Sequence, residues 1–225
     1  MAGRDTPLVT GEYYHIFNRG VAKMPMHNSI SDYKRALLTL EYYRFTKPPL
    51  KLSKYNDLSA EDRDRIDLEL NYKDDHLVEI LSFIFMPNHF HFLLKQNVDG
   101  GVSKFVGQFT NSYTRYFNTR NHRVGSVFQG VFKSVAVESE QQLLHLSRYI
   151  HLNPYVSKVV TLNDLANYPW SSLPIYLGGK SSVVNNHIIR SGFSEKFSYK
   201  DFVFNHSDYA RELEIIKHQV LDIEP

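Results

Sequence analysis

Two hydrophobic patterns alternate along the chain, one with the period of a strand and one with the period of a helix. The run Tyr13 to Phe17 is rich in β-forming residues and ends at the turn-forming Asn18-Arg19-Gly20, which predicts a first strand. Apolar residues then recur at helical spacing from Ser31, the expected N-cap, until Pro48-Pro49 stops the pattern. A first helix therefore follows the first strand.

The same alternation continues through the next hundred residues. Two strands in hairpin order, a helix, a strand and a helix are predicted over residues 78–86, 89–95, 102–118, 127–137 and 139–153. The last of these helices must end before Pro154, because the residue before a proline avoids helical geometry. A further helix is expected over residues 209–220. Strand, helix, hairpin, helix, strand, helix is an α+β order, and a split βαβ arrangement with an antiparallel sheet accommodates it.

Length and composition narrow the class of protein. A chain of 225 residues that is 42% hydrophobic is expected to form one soluble domain with a substantial core. The chain has no cysteine, which excludes disulfides, thiolate metal sites and cysteine nucleophiles and fits a reducing compartment. Its first residues lack the apolar stretch of a signal peptide, and no run approaches the ~20 apolar residues of a membrane span. We expect a cytoplasmic protein.

Charge is distributed unevenly, although the formal net charge is only +2. Residues 101–160 contain seven Lys and Arg against two acidic residues, whereas residues 51–80 contain five against nine. A basic stretch interleaved with Tyr and Phe suits a polyanion such as nucleic acid, since cations neutralise phosphates and rings stack on bases. On charge alone, a solvated helix face is the alternative. Residues 47–76 are polar and acidic, with a short helix expected after Ser59, and we interpret them as an insertion.

The most specific chemical feature is the motif His89-Phe90-His91. If Phe90 and Phe92 face the core, strand alternation places both histidines on the other side, about 6.6–6.8 Å apart along the strand. Two imidazoles so placed can converge on one metal ion, which then needs a further ligand and a substrate oxygen. For this motif alone, the alternative is a pair of histidines that binds no metal.

The last of these helices adds side chains that fit the same chemistry. His145, Tyr149 and Asn153 are spaced by four residues and lie on one face, beside the apolar stripe of Leu143 and Ile150. Tyr149 is a candidate nucleophile, and the Asn153 amide oxygen is a candidate ligand of the same metal. The alternative for Tyr149 is a half-buried core aromatic with a bonded hydroxyl. His145 and His151 are expected to border this site.

Six blocks in this order resemble the single-tyrosine HUH transposases of the IS200-like family, particularly the REP-associated tyrosine transposases. The blocks are residues 14–20, 86–94, 112–118, 125–134, 149–154 and 168–172. The resemblance implies a ferredoxin-like α+β domain, the IS200-like transposase fold. It also implies DNA transposition by an enzyme that binds hairpin-forming single-stranded DNA at palindromic, REP-like elements. Such an enzyme nicks and rejoins the DNA through a 5′-phosphotyrosine, with Mg²⁺ or Mn²⁺ as cofactor.

The resemblance also implies roles for individual residues. His89 and His91 correspond to the catalytic metal ligands, Tyr149 to the nucleophile and Asn153 to a further metal ligand. A phenol with a pKa of ~10 needs such help to act as a nucleophile at neutral pH. Tyr113 or Tyr116 could stack on bases. The expected DNA contacts are the basic residues Arg19, Arg115, Arg120, Arg123 and Lys133.

The transposase domain is expected to cover residues 1–178, with the insertion at about 47–76, and a partly helical extension to cover residues 179–225. We expect a monomer or homodimer that associates with the nucleoid while it acts on DNA. Two other functions remain open: a non-catalytic DNA-binding protein descended from such a transposase, and a metal hydrolase that uses water in place of tyrosine.

Overall fold

A four-stranded antiparallel sheet organises the computed structural model, which describes residues 7–73, 75–194 and 197–205. The strands are β1 (Tyr13–Arg19), β2 (Val78–Phe85), β3 (His89–Gln96) and β4 (Lys133–Val137). Their order in the sheet is β2-β3-β1-β4, and every neighbouring pair is antiparallel. The predicted α+β class and the ferredoxin-like split βαβ arrangement are therefore confirmed.

Helices connect the strands and follow the last one. The longer ones are α1 (Ile30–Tyr43), α3 (Ala60–Lys73), α4 (Gly101–Arg120) and α5 (Glu140–Val156). The shorter ones are α2 (Leu52–Asn56), α6 (Leu162–Leu165), α7 (Leu173–Tyr176), α8 (His187–Arg190) and α9 (Tyr199–Phe204). In the described ranges, no helix combines the length and the apolarity needed to cross a bilayer.

Helices cover both faces of the sheet, and the two faces differ in chemistry. On one face, Phe90 and Phe92 of β3 each lie 5.3 Å from the Phe109 ring of α4, measured between ring centroids. On the other face, the ring of His91 contacts Tyr149 of α5. Successive side chains of a strand point to opposite faces, so β3 supplies phenylalanines to one layer and histidines to the other. Both layers are buried, which the sequence pattern does not reveal.

Two predicted boundaries move because of local hydrogen bonds. The N-cap of α1 is Ser29 rather than Ser31, since the Ser29 hydroxyl oxygen accepts the Asp32 N–H at 3.3 Å and its O–H donates to the Asp32 carboxylate. The fourth strand is five residues long, not eleven as predicted. Gly130 has a φ of +63°, outside strand geometry, and the segment before it keeps only an isolated bridge between Phe128 and Gly20.

Helix α5 continues past Pro154, contrary to the prediction that it ends at Asn153. The proline lies in the last turn and therefore removes a single helical donor. The Ser157 N–H donates to the Asn153 carbonyl at 2.9 Å and completes the turn. Asn153 is thus held in regular helix, one turn after Tyr149.

The segment predicted as an insertion folds as two helices, α2 and α3. Ser59 caps α3 as expected, since its hydroxyl oxygen accepts the Asp62 N–H at 3.1 Å, but this helix is 14 residues long rather than short. Among the described residues after 178, Val184 bridges to Ile80 of β2. The domain boundary at 178 stays a prediction, and the helix predicted over 209–220 lies outside the described residues.

The phenylalanine layer under α4 generates a stability prediction. Replacing Phe92, which is fully buried, by Ala should lower the free energy of unfolding by about 3–5 kcal/mol. The substitution leaves a cavity, and the neighbouring rings lose their contacts with Phe92. Val124, which is 93% exposed, offers a control, and its replacement by Ala should change that free energy by less than about 0.5 kcal/mol. Urea unfolding followed by circular dichroism measures both, and equal effects would contradict the described core.

Candidate active site

The pairing of β1 with β3 brings two histidines together under α5. Phe17 lies opposite His91 in the strand register, and His15 is two residues away on the same face of β1. The His15 Nε2 and His91 Nδ1 atoms are 2.9 Å apart, and both rings are buried. Burial lowers the pKa of His15 to about 3, and burial with the neighbouring His89 and His15 holds the pKa of His91 well below its usual value. Both rings are neutral at pH 7.

His89 begins β3 and meets two amide oxygens. Its Nδ1 lies 2.7 Å from Oδ1 of Asn88, and its Nε2 lies 3.2 Å from Oδ1 of Asn153. The Asn88 amide nitrogen donates to the carbonyl of Lys23 at 3.4 Å, which fixes the oxygen toward His89. Burial lowers the pKa of His89 to about 4, and the positive charge of Arg19 adds to this effect, although the Asn153 hydrogen bond favours the charged ring.

A neutral imidazole carries one N–H, so one of these two contacts joins an acceptor to an acceptor. The Asn88 contact is the shorter, and we therefore place the proton on His89 Nδ1. The lone pair of His89 Nε2 then faces the Asn153 oxygen. A cation bound by both atoms would turn this repulsion into attraction.

A second unsatisfied atom lies beside this pair. His91 Nε2 is buried and has no hydrogen-bond partner among the described residues, and the His89 and His91 ring centroids are 5.1 Å apart. Two imidazole nitrogens and an amide oxygen form a donor set that fits a divalent metal ion. In the described ranges, no three His, Asp or Glu side chains form a group that could hold a metal. The candidate set therefore depends on Asn153.

The Tyr149 side chain lies next to these atoms. Its ring centroid is 5.5 Å from that of His91 and 6.2 Å from that of His15, with both histidine rings nearly perpendicular to it. Phe17 packs against the same ring, which is half-buried. The histidines, Tyr149 and Asn153 thus meet within a single chain, where a phenol, a metal site and a scissile phosphate could be combined.

The five basic residues predicted to contact DNA lie in different places. Arg19 and Lys133 line a cavity of about 90 Å³ together with His89 and Gln129. Arg123 lies over the Phe117 ring, 5.8 Å from its centroid. Of these three residues, only Arg19 and Lys133 lie beside a candidate metal ligand.

Arg115 and Arg120 line a larger groove of about 1000 Å³ between α1, α4 and residues 46–57. This groove lies on the α4 side of the sheet, whereas Tyr149 lies on the α5 side. Of the two tyrosines predicted to stack on bases, Tyr116 lines the groove. Tyr113 is in the core and donates its O–H to the Met26 carbonyl at 2.7 Å. The other cations lining the groove are Arg35, Lys47 and Lys51.

The comparisons with known proteins agree with this geometry. Residues 58–153 match the family model described as Transposase IS200 like, a span that includes His89, His91, Tyr149 and Asn153. No curated protein sequence matches the chain. Among solved structures, the chain is similar to one described as a REP-associated tyrosine transposase bound to a REP hairpin. The two share 12% identity with a TM-score of 0.50, over 82% of this chain and 98% of the other.

At 12% identity, that likeness shows the fold alone. A second structure, tRNA(His) guanylyltransferase from Saccharomyces cerevisiae, aligns over 100% of this chain and 85% of its own, with 11% identity and a TM-score of 0.40. This value is too low to assign a shared fold. Over residues 58–153, the family match confirms the resemblance to IS200-like transposases that the sequence predicts, and the first structure agrees with the predicted fold.

A buried polar network holds α5 on the side that faces away from the candidate site. His151 was expected to border the site, but it points away from it and is fully buried. Its Nδ1 lies 2.7 Å from the Tyr199 hydroxyl and its Nε2 lies 2.7 Å from the Ser172 hydroxyl. The Tyr199 hydroxyl also lies 3.0 Å from that of Ser147 on α5. His145 likewise packs against Phe202 of α9, with ring centroids 5.6 Å apart.

Removing one hydroxyl from this network should destabilise the fold. Tyr199→Phe leaves the buried His151 Nδ1 without its partner and removes one hydrogen bond of Ser147, and we expect the free energy of unfolding to fall by about 1–3 kcal/mol. Tyr72→Phe is the matched control, since Tyr72 is 91% exposed, and it should change that value by less than about 0.5 kcal/mol. Urea titration measures both variants. A Tyr199→Phe protein as stable as the wild type would mean that the network contributes nothing.

Proposed function

We propose that this chain, whose residues 58–153 match the IS200-like transposases, is a metal-dependent enzyme that nicks and rejoins single-stranded DNA at hairpin-forming palindromic elements. The contact between His89 Nε2 and the Asn153 oxygen carries this proposal, since two acceptor atoms face each other beside the unpaired His91 Nε2. Such an arrangement suits a cation. Tyr149 lies against His91 and supplies the nucleophile.

His89, His91 and Asn153 would hold the metal ion, Mg²⁺ or Mn²⁺. Each histidine would bind the ion as a neutral imidazole, and burial keeps both rings neutral at neutral pH. When bound, the ion neutralises charge that develops on the scissile phosphate and orients that phosphate for in-line attack. Asn88 accepts the His89 Nδ1–H and thereby turns Nε2 toward the site.

Tyr149 would cleave the strand by exchanging one phosphoester for another. Its phenolic oxygen attacks phosphorus, the bond from phosphorus to the 3′ oxygen breaks, and a 5′-phosphotyrosine forms. The phenolic proton passes to solvent, and the departing 3′ oxygen takes up a proton to become a hydroxyl. Rejoining reverses these steps with the 3′ hydroxyl of the strand to be joined, so no nucleotide cofactor is required. Tyr149 lies against His91 of its own chain, an arrangement that would let one chain cleave without a tyrosine from a second copy.

Arg19 and Lys133 would hold the phosphates that flank the cleaved bond. Both line the cavity beside His89, and Arg19 donates its Nε–H to Gln129 across the cavity wall. Cations at this position neutralise a single strand where it passes the metal ligands. Arg123 follows the end of α4 and does not line this cavity, and we assign it no contact with the cleaved bond.

The groove beside α4 would take the phosphate backbone of the hairpin stem. Among the described residues, five cations line it against one acidic residue, Asp57. Lys47, Lys51 and Arg115 form no ion pair with any described residue, so their charges are not neutralised within the described ranges. Neutralising phosphates is the main source of affinity for a nucleic-acid backbone. Binding of the stem would thus be separate from cleavage.

The proposal predicts a covalent protein–DNA adduct that depends on one tyrosine. We expect end-labelled single-stranded hairpin DNA from the flanks of the gene to give a shifted band on a denaturing gel with Mn²⁺. EDTA and Tyr149→Phe should each abolish the band, because they remove the metal and the attacking oxygen respectively. Tyr155→Phe, on the same helix but lining a different surface with Lys158, should retain it.

Three other outcomes of this experiment are informative. Hairpin binding without any adduct or cleaved product would favour the non-catalytic DNA-binding protein. Cleavage without an adduct, unaffected by Tyr149→Phe, would favour the metal hydrolase that uses water. An adduct that persists in Tyr149→Phe would show that another tyrosine is the nucleophile.

The groove predicts a specific dependence of binding on salt. Lys51→Gln with Arg115→Gln should weaken hairpin binding and reduce the slope of log affinity against log salt by about 2, because each removed phosphate contact lowers it by about 1. The control replaces Arg65 and Lys73 of α3, which pair with acids of their own helix, by Gln. Fluorescence anisotropy with a labelled hairpin measures both. If the two double variants change the slope equally, the groove is not the binding surface.

A further inference from the structure

His15 has no part in the chemistry proposed above, yet it is buried against the centre of the site. The His15 ring lies between Phe17 and Tyr149 and within 2.9 Å of His91, measured between His15 Nε2 and His91 Nδ1. It is 1% exposed and therefore cannot contact DNA directly from this position. Among the described residues, its one side-chain hydrogen bond is with a proposed metal ligand.

Two neutral rings can share this hydrogen bond in two ways. In the first, His91 Nδ1–H donates to His15 Nε2, and His91 Nε2 keeps its lone pair. In the second, His15 Nε2–H donates to His91 Nδ1, and the proton of His91 must then reside on Nε2. Only the first arrangement leaves His91 able to bind a metal through Nε2.

The surroundings of His91 favour the first arrangement. His91 Nε2 is buried and has no partner among the described residues, so a proton there would be a donor without an acceptor. A bare lone pair at the same place is ready for a cation. The neighbouring His89 shows the same device, since Asn88 accepts its Nδ1–H. In the first arrangement, each proposed metal-binding histidine therefore has a hydrogen-bond acceptor at its Nδ1 atom.

We propose that His15 is a positioning residue: it accepts the Nδ1–H of His91 and so holds the His91 Nε2 lone pair toward the metal. This proposal rests on the metal site of the proposed function. A carboxylate is a common acceptor behind a metal-bound histidine. An imidazole performs the same task in a buried layer without adding a negative charge that α5 would have to cover.

The tautomer of His91 is measurable without metal or DNA. Long-range proton–nitrogen NMR of the metal-free chain labelled with ¹⁵N-histidine should show His91 protonated on Nδ1 and unprotonated on Nε2. In His15→Phe, which keeps an aromatic ring but removes the acceptor, His91 should shift toward the Nε2–H form. His15→Gln, whose amide oxygen can accept, should restore the Nδ1–H form. Finding Nε2–H in the wild-type chain overturns the proposal, whatever the variants do.

Direct Mn²⁺ binding, followed by the EPR signal of the free ion, gives the second measurement. His15→Phe should weaken Mn²⁺ binding about 10- to 100-fold, and His15→Gln should recover most of that loss. His76→Phe is the control, because His76 stacks on Phe45 just before β2, at the end of the sheet opposite His89. Equal Mn²⁺ affinity in His15→Phe and wild type overturns the proposal.

The two proposals fail in distinguishable ways. If the wild-type chain binds no Mn²⁺ either alone or with hairpin DNA, the proposed metal-dependent function fails, and with it the purpose assigned to His15. If wild type binds Mn²⁺ and the His15 variants neither change the tautomer nor weaken binding, only the role of His15 fails.

Discussion

The packing of α5 over the polar face of the sheet is the constraint on which the site depends. Without this helix, His15 and His91 would lie on an open surface and exchange their hydrogen bonds with water. With it, water is removed and each polar atom must pair with another protein atom or with a bound ion. The same packing brings Tyr149 to within 5.5 Å of His91 between ring centroids. One helix–sheet contact therefore creates the unpaired acceptors and places the proposed nucleophile beside them.

The two faces of the sheet separate stability from chemistry. Under α4, the layer around Phe109 is mostly aromatic, and Tyr113 and His27 within it bond to backbone carbonyls. Under α5, polar groups occupy the layer, and the network of His151 with Tyr199 anchors the helix on its far side. On the side of α5 away from the site, this network gives the buried polar atoms hydrogen-bond partners. On the side facing the site, polar atoms remain unpaired and can bind an ion. A flexible helix could not keep Tyr149 and Asn153 in register with β3.

The hydrophobic periodicity of the sequence was sufficient to predict which face of a single strand or helix each side chain occupies. The alternation of β3 placed Phe90 and His91 on opposite faces, and helical spacing placed Tyr149 and Asn153 on one face of α5. His15 was missed because its importance depends on which strand lies beside β3, and pairing between distant segments is not encoded in either strand alone. The sequence held one signal for His15: it lies two residues before Phe17, and therefore on the same face of the strand that ends at Arg19. The length of β4 was overestimated because apolar residues before Gly130 are buried without forming a strand.

The basic groove shows why the charge of a segment does not predict the charge of a surface. Residues 51–80 are acidic overall, yet Lys51 from this segment faces the groove with Lys47 just before it. Most of the acidic residues belong to α3, where Glu61 and Glu69 pair with bases of the same helix. Among the segment's acidic residues that the structure describes, only Asp57 reaches the groove. Folding into two helices thus separates the charges: Lys51, with Lys47 just before the segment, lines a surface suited to DNA, whereas the acidic residues of α3 do not line it.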